Sequence, residues 1–137
     1  MAYGFYHRKK GSKYGNEKTV IDNIKFDSKH EAERYCQLKL LQRAGVIRDL
    51  ELQKEFILIP AQYKSEERYG KNGKRLKDKQ ILVERKVSYF ADFTYIEVES
   101  GQMIVEDAKS EITRTDKTYI LKRKMLRHFY GLEVQEV

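Results

Sequence analysis

The sequence contains one cysteine, one proline and no long run of apolar residues. With Cys36 alone, a disulfide within the chain is excluded, and a reducing compartment is favoured. No stretch approaches the roughly 20 apolar residues that cross a bilayer, and residues 1–15 lack the apolar segment of a signal peptide. These absences predict a cytoplasmic protein that has no membrane-spanning segment.

Positive charge is in excess. The 137 residues carry a formal net charge of +7, a balance typical of proteins that bind a polyanion such as nucleic acid or an anionic membrane surface. Two blocks hold the excess: residues 64–80 contain seven Lys or Arg against three acids, and residues 114–128 contain six against one. Solubility is the alternative explanation of the total, so the two blocks are the more informative feature.

Capping and turn signals predict the first elements of a single domain over residues 1–137. Asp22-Asn23, between β-branched residues, predicts the turn of a short hairpin over 19–26. Ser28 and Glu31 form the S-x-x-E start of a helix that Gly45 ends. The remaining predictions are strands over 50–60, 83–97 and 103–109, a helix over 118–130 and a short terminal strand.

Two basic segments lack any apolar period. Residues 1–18 are predicted to be a flexible basic arm, and residues 64–80, which include Gly70 and Gly73, a mobile basic insertion or loop. On the helix over 118–130, we expect one face to carry the larger apolar residues, which are Leu121, Met125, Leu126 and Phe129. The resulting order is helix, three strands, helix, strand.

Carboxylates occupy two strands where packing would prefer apolar side chains. Side chains alternate along a strand, so Asp107 and Lys109 project to the same side. If the hairpin turns on 100–101, Asp92 lies opposite Lys109 and Thr94 lies opposite Asp107. Any connection of even length keeps Asp92 on that side, whereas a slip of one residue reverses it. The sequence therefore permits a cluster of two carboxylates and a lysine.

Such a cluster has a chemical and a structural explanation. Two neighbouring carboxylates repel unless a proton or a cation lies between them, and Mg²⁺ binds through one or two carboxylates together with a substrate phosphate. Lysine beside the ion can orient water or neutralise charge in phosphodiester cleavage. Alternatively, Asp92 and Asp107 face solvent, and Lys109 forms a cross-strand ion pair that contributes roughly 0.2 to 1 kcal/mol.

The linked motifs resemble the PD-(D/E)xK nuclease superfamily: Glu on the first helix, Asp on the second core strand, D-x-K on the third strand and then a basic helix. More narrowly, FDSKHEAERYCQLKLLQRAGVIRDLELQ, YFADFTYI and VEDAKSEITRTDKTYILKRKML resemble an uncharacterised family of phage and prophage proteins that is similar to Holliday-junction resolvases. The resemblance runs from about Thr19 to the C-terminus, with 64–80 as an interruption. Phe90-Ala91 precede Asp92 where the superfamily name has proline.

The resemblance implies a fold and a catalytic site. The fold is an α/β (α+β) restriction-endonuclease-like core, in the order α-β-β-β-α-β, with a mixed central sheet flanked by helices. Asp92 and Asp107 are then the ligands of Mg²⁺, with Mn²⁺ as a substitute, and Lys109 positions the nucleophile or stabilises charge. Glu31 helps to bind a second ion or orients water. Its alternative role is to complete the capping box, with Glu33 as the substitute in the site.

The basic helix follows the D-x-K strand directly, so its first turn is expected near the cluster. Phosphate contacts are predicted for Thr113, Arg114, Lys117 and Lys122, with a solvated face as the alternative. Gln53, in the segment LELQ, is predicted to be a buried strand glutamine that satisfies backbone groups.

The implied function is a Mg²⁺-dependent endonuclease that cleaves branched DNA in phage recombination or replication, in the cytoplasm of a bacterial host cell. Symmetric cutting of a junction favours a two-fold homodimer. Two alternatives stay open. One is a non-catalytic nucleic-acid-binding accessory protein on the same fold, and the other is a mismatch or site-specific nicking endonuclease.

Overall fold

Eleven helices and strands make up the part of the chain that the computed structural model describes, residues 18–137. The arm predicted over 1–18 lies, except for Lys18, outside the described residues. The elements are β1 Thr19–Ile21, β2 Ile24–Phe26, α1 Lys29–Arg43, β3 Ile47–Ile59, β4 Gln62–Tyr69, β5 Arg75–Glu84, β6 Val87–Glu97, β7 Met103–Asp107, α2 Glu111–Arg114, α3 Lys117–Tyr130 and β8 Val134–Glu136.

The central sheet is mixed, and a helix lies on each of its faces. Its strand order is β3-β6-β7-β8, with antiparallel pairing from β3 to β7 and parallel pairing of β7 with β8. Val105 on β7 packs with Leu126 of α3, whereas its neighbour Glu106 bonds to Arg34 of α1. Adjacent strand residues point to opposite faces, so α1 and α3 cover the two sides. The predicted α+β class with a mixed central sheet is confirmed.

The predicted turn and helix signals act as the sequence indicates. Asp22 and Asn23 adopt positive φ angles of 51° and 63° between β1 and β2. At the start of α1, the hydroxyl of Ser28 accepts a hydrogen bond from the backbone N–H of Glu31 at 3.1 Å. Gly45, with φ of 75°, follows the helix in the left-handed conformation that ends many helices. Local chemistry therefore determines where α1 sits in the chain.

The basic segment 64–80 is a β-hairpin, and its prediction as a loop is wrong. β4 and β5 pair antiparallel from Gln62 opposite Glu84 to Tyr69 opposite Arg75. Every side chain of β4 is exposed, so this strand has no buried face and shows none of the apolar alternation that reveals a strand in a sequence. The predicted strand over 83–97 also begins later, because residues 83 and 84 belong to β5.

The apolar face expected for α3 is only partly correct. Tyr119 and Leu126 are buried, but Leu121 is 59% exposed and Phe129 is 56% exposed. The side that faces the sheet also includes Arg123, whose guanidinium bonds to a carboxylate of β8 at 3.1 Å. The side of α3 that faces the sheet therefore combines buried apolar residues with a charged residue that is paired with β8. Within residues 18–137, no helix is both long and apolar enough to cross a membrane.

Candidate active site

Asp92 and Asp107 lie where β6 and β7 separate, a place that we call the fork. The backbone ladder of the two strands ends at Phe93 opposite Glu106. Beyond it, Asp107 Oδ1 accepts the backbone N–H of Asp92 at 3.0 Å, and Asp92 Oδ2 accepts the backbone N–H of Ala108 at 2.9 Å. Two carboxylates thus take over the hydrogen bonds of strands that have separated, and they satisfy the N–H groups that the ladder leaves open.

The predicted register of this hairpin is wrong by two residues. Thr94 pairs with Val105 and not with Asp107. The connection is longer than predicted, because the N–H of Glu97 donates to the carbonyl of Gln102 and four residues lie between them. A shift of two residues leaves every side chain on its expected face. The cluster therefore forms although its cross-strand partners differ.

Lys109 joins the two carboxylates. Its Nζ lies 3.9 Å from Asp92 Oδ2 and 3.9 Å from Asp107 Oδ1. The same ammonium lies 5.9 Å from the ring centroid of Tyr119 on α3. Its side chain is 24% exposed, so the charge is in contact with solvent as well as with the acids. The three residues that the sequence predicts for one cluster are brought together.

Burial makes the ionised form of the Asp107 carboxyl unfavourable. The side chain is fully buried and also accepts a hydrogen bond from the hydroxyl of Tyr89. Burial raises the pKa of Asp107 from its ordinary 3.8 to about 6, against the lowering effects of Lys109 and of the N–H of Asp92. The cost of removing the carboxylate from water is therefore larger than the compensation that its neighbours supply.

We expect Asp107→Asn to stabilise the metal-free protein at neutral pH. Because the pKa of the folded carboxyl is raised, its ionisation destabilises the fold as the pH rises from 3.8 to about 6, by about 2 to 3 kcal/mol in total. Asparagine keeps an acceptor for the N–H of Asp92, and the hydroxyl of Tyr89 can turn to accept from its amide.

Thermal unfolding in EDTA, from about pH 4 to pH 8, tests this expectation. The melting temperature of the variant minus that of the wild type should increase with pH and level off above about pH 6. A constant difference over the whole range would show that the carboxylate carries no such penalty.

Glu31 faces the same cleft from α1. The cleft has a volume of about 410 Å³, and its lining includes Glu31, Asp92, Lys109 and Thr113. Burial is the main reason that the pKa of Glu31 is raised from 4.5 to about 7, and the negative charges of Asp92 and Asp27 add to it. The backbone N–H of Glu31 serves the helix cap while its side chain lines the cleft, so the cap leaves the carboxyl at the cleft.

Gln53 contacts the site through Asp92, a role that its sequence context does not predict. It is exposed and not buried, and its Nε2 donates to Asp92 Oδ1 at 3.0 Å. Its φ angle of 52° lies in the left-handed region, which is uncommon for residues other than glycine. The prediction of a buried glutamine is therefore wrong. No sequence motif predicts this φ angle. The position of Gln53 in the segment LELQ is the one signal in the sequence that singles out the residue.

Of the four residues predicted to bind phosphate, one lines the cleft and three do not. Thr113 lines the cleft. Arg114 Nε lies 3.2 Å from Glu136 Oε2, so its charge already has a partner. Lys117 is exposed at the start of α3 and Lys122 is partly exposed, and neither belongs to the cleft lining.

A second ionic cluster on the opposite face of β7 fixes the helix that carries Glu31. Arg34 donates to both carboxylate oxygens of Glu106, at 2.8 Å and 2.6 Å. The hydroxyl of Tyr95 donates to the same buried carboxylate at 2.6 Å. Arg34 and Glu31 are three residues apart on α1, so this ion pair joins the part of the helix that carries Glu31 to β7. No motif in the sequence singles out Arg34 for this role.

The donor atoms at the fork suit a hard cation, although the expected ligand set is not preassembled. Across residues 18–137, no three Cys, His, Asp or Glu side chains converge into a ready metal-binding group. Asp92 and Asp107 supply carboxylate oxygens, and each oxygen that accepts one hydrogen bond has a further lone pair. These are the ligands that Mg²⁺ prefers, completed by water and substrate phosphate.

The fold and the site define a class: an α+β protein whose mixed sheet carries an Asp-Asp-Lys cluster at a fork between two antiparallel strands. A protein-family model described as "Protein of unknown function (DUF1064)" matches residues 11–135. The chain therefore belongs to the DUF1064 family. Comparison with curated proteins and with solved structures gives no match.

Proposed function

We propose that this protein is a Mg²⁺-dependent DNA endonuclease. The observation that carries the proposal is the convergence of Asp92, Asp107 and Lys109, with one ammonium 3.9 Å from both carboxylates. Structural ion pairs do not require two acids on strands that have separated, whereas a phosphodiesterase requires a cation site and a positive charge next to it.

A restriction-endonuclease-like core is part of the proposal. The order α1, β3, β6, β7, α3, β8, with the first three strands antiparallel and the last one parallel, agrees with the α-β-β-β-α-β order of the PD-(D/E)xK superfamily. Asp92 on the second of these strands and D-x-K at the end of the third also agree. Topology and site together support the resemblance more strongly than either does alone.

The residues at the fork fit a divalent cation because they hold excess negative charge. Burial raises the pKa of Asp107, and the charge of Asp92 contributes to the raised pKa of Glu31. In the proposal, Asp92 and Asp107 hold Mg²⁺, with Mn²⁺ as a substitute. Such an ion, when bound, supplies Lewis-acid polarisation of a phosphate and a bound water of lowered pKa.

The chain's own groups then act on the substrate. Lys109 stabilises the negative charge that develops on the phosphate while water adds to phosphorus and one P–O ester bond breaks. Glu31 orients the attacking water or shares a second ion, and Gln53 holds Asp92 in position through its hydrogen bond. The attacking water gives up a proton to solvent, and the leaving oxygen takes up a proton from solvent. Positioning of this kind requires the rigid attachment of α1 to β7.

The substrate class is DNA, and the resemblance favours branched DNA formed in phage recombination or replication. The net charge of +7 supports a polyanionic substrate. Cleavage of a four-way junction on two strands would be served by a two-fold homodimer. A mismatch or site-specific nicking enzyme would share the same site and differ in substrate.

A cleavage assay on four DNAs tests the proposal. Matched four-way junction, flap, single-stranded and linear duplex substrates are incubated with the protein in Mg²⁺ or in EDTA. We expect cutting in Mg²⁺ and none in EDTA, and we expect the four-way junction to be cut faster than the other three DNAs. Junction binding without any cutting in Mg²⁺ or Mn²⁺ would replace the proposal with that of a non-catalytic nucleic-acid-binding protein.

A further inference from the structure

The hairpin of β4 and β5, residues 62–84, stands apart from the central sheet. We call it the arm. Its strands pair with each other and with no other strand in the described chain. Pro60, which lacks a backbone N–H, interrupts the ladder between β3 and the arm. The eight residues of β4 give the arm a length of about 26 Å, and such a hairpin is marginally stable when isolated.

The surface of the arm is positively charged. Five lysines are exposed on it: Lys64, Lys71, Lys74, Lys77 and Lys79. Within the arm, Arg75 forms the ion pairs, with Glu67 and with Asp78. In the described part of the chain, none of the five lysines takes part in an ion pair. Lysines on an open strand edge also prevent pairing with other chains. That role does not require five lysines in one hairpin, so it does not explain why they are concentrated there.

A duplex nucleic acid matches the shape and the charge of this arm. A two-stranded β-ribbon fits the major groove, which is about 12 Å wide, and lysines that are not paired with acids are available for backbone phosphates on either side. The arm leaves the sheet at the start of β6, five residues before Asp92. We propose that it binds duplex DNA on this side of the site and contributes affinity but no chemistry. This inference rests on the proposed function, because it takes the substrate of the site to be DNA.

The first test neutralises the arm without altering its backbone pairing. The variant combines Lys64→Gln, Lys77→Gln and Lys79→Gln, and fluorescence anisotropy measures its binding to a linear duplex in EDTA. At about 150 mM salt we expect an affinity at least roughly tenfold lower than that of the wild type. The slope of log affinity against log salt should become shallower by about 2 to 3, one unit for each lost phosphate contact.

A matched control removes the same charge elsewhere. Lys18→Gln, Lys25→Gln and Lys39→Gln lie in or beside β1, β2 and α1, and they lower the net charge by the same amount. We expect this control to bind the duplex within about threefold of the wild type. Equal losses in both variants would overturn the inference, since the effect would then reflect total charge and not the arm.

A second variant removes the arm. Residues 61–85 are replaced by Asn-Gly, which forms a two-residue hairpin turn close to the point where Ile59 pairs with Val87. Unchanged cooperative unfolding verifies that the core is intact. In Mg²⁺, we expect the apparent KM for duplex-containing substrates to rise by about tenfold or more and kcat to stay within about twofold.

The outcomes separate the arm from the catalytic proposal. Metal-dependent cleavage with an unchanged KM in the variant without the arm would overturn the arm's role and leave the endonuclease standing. Loss of duplex affinity in both arm variants, in a protein that never cuts DNA, would support the arm and refute the endonuclease. A wild type that binds no duplex at all would refute both.

Discussion

Lys109→Met is expected to lower kcat for metal-dependent DNA cleavage by about 100- to 1000-fold. The ammonium lies 3.9 Å from an oxygen of each fork carboxylate, so it is next to the position that a phosphate bound through the same metal ion would take. Methionine keeps much of the side chain's volume and removes the charge. Single-turnover cleavage at saturating protein measures the effect on the chemical step.

The matched control for this prediction is Lys124→Met. Lys124 is exposed on α3 and is not part of the cleft lining, so the substitution removes one positive charge without changing the fork. We expect its kcat to stay within about twofold of the wild type. If Lys109→Met cut DNA as fast as this control, Lys109 would have no part in catalysis and would be a structural counter-ion.

Glu106→Ala is expected to lower the free energy of unfolding by about 3 to 5 kcal/mol. The substitution removes a fully buried carboxylate and leaves the guanidinium of Arg34 and the hydroxyl of Tyr95 without their common acceptor. An unpaired charge under a helix costs more than the lost contacts alone. Chemical denaturation followed by circular dichroism measures the change.

Glu133→Ala supplies the comparison for Glu106→Ala. Glu133 pairs with Arg127 at 2.9 Å, and the two side chains are 69% and 73% exposed. A surface ion pair of this kind contributes about 0 to 1 kcal/mol. We also expect Arg34→Leu combined with Glu106→Leu to recover part of the loss, because no buried charge then lacks a partner. Equal effects of the two single alanine substitutions would refute the role assigned to the buried pair.

Much of the local structure, and the residue types of the site, follow from the sequence. The hydroxyl of Ser28 and the left-handed glycine after α1 act over a few residues, so the sequence alone contains the relevant physics. The alternation of side chains along a strand can likewise be read from the sequence alone. Asp92 and Asp107 share a face whatever the length of an even connection, which is why the cluster was predictable although its register was not.

Other features depend on contacts between distant segments. The left-handed angle of Gln53 is uncommon outside glycine, and its side chain bonds to Asp92, which lies 39 residues further along the chain. The contacts of Tyr119 and Arg123 on α3 depend on Glu136, which lies on a strand that follows the helix. The arm escaped prediction because neither of its faces is buried, so its pairing leaves no regular apolar period.

The most direct test of the account is cleavage of a four-way junction by the wild type and by Asp107→Ala, each in Mg²⁺ and in EDTA. We expect the wild type to cut in Mg²⁺ alone and the variant to cut in neither condition while it still binds the junction. Cleavage by Asp107→Ala at the rate of the wild type, or cleavage that EDTA does not stop, would contradict the assignment of the fork as a metal-dependent active site.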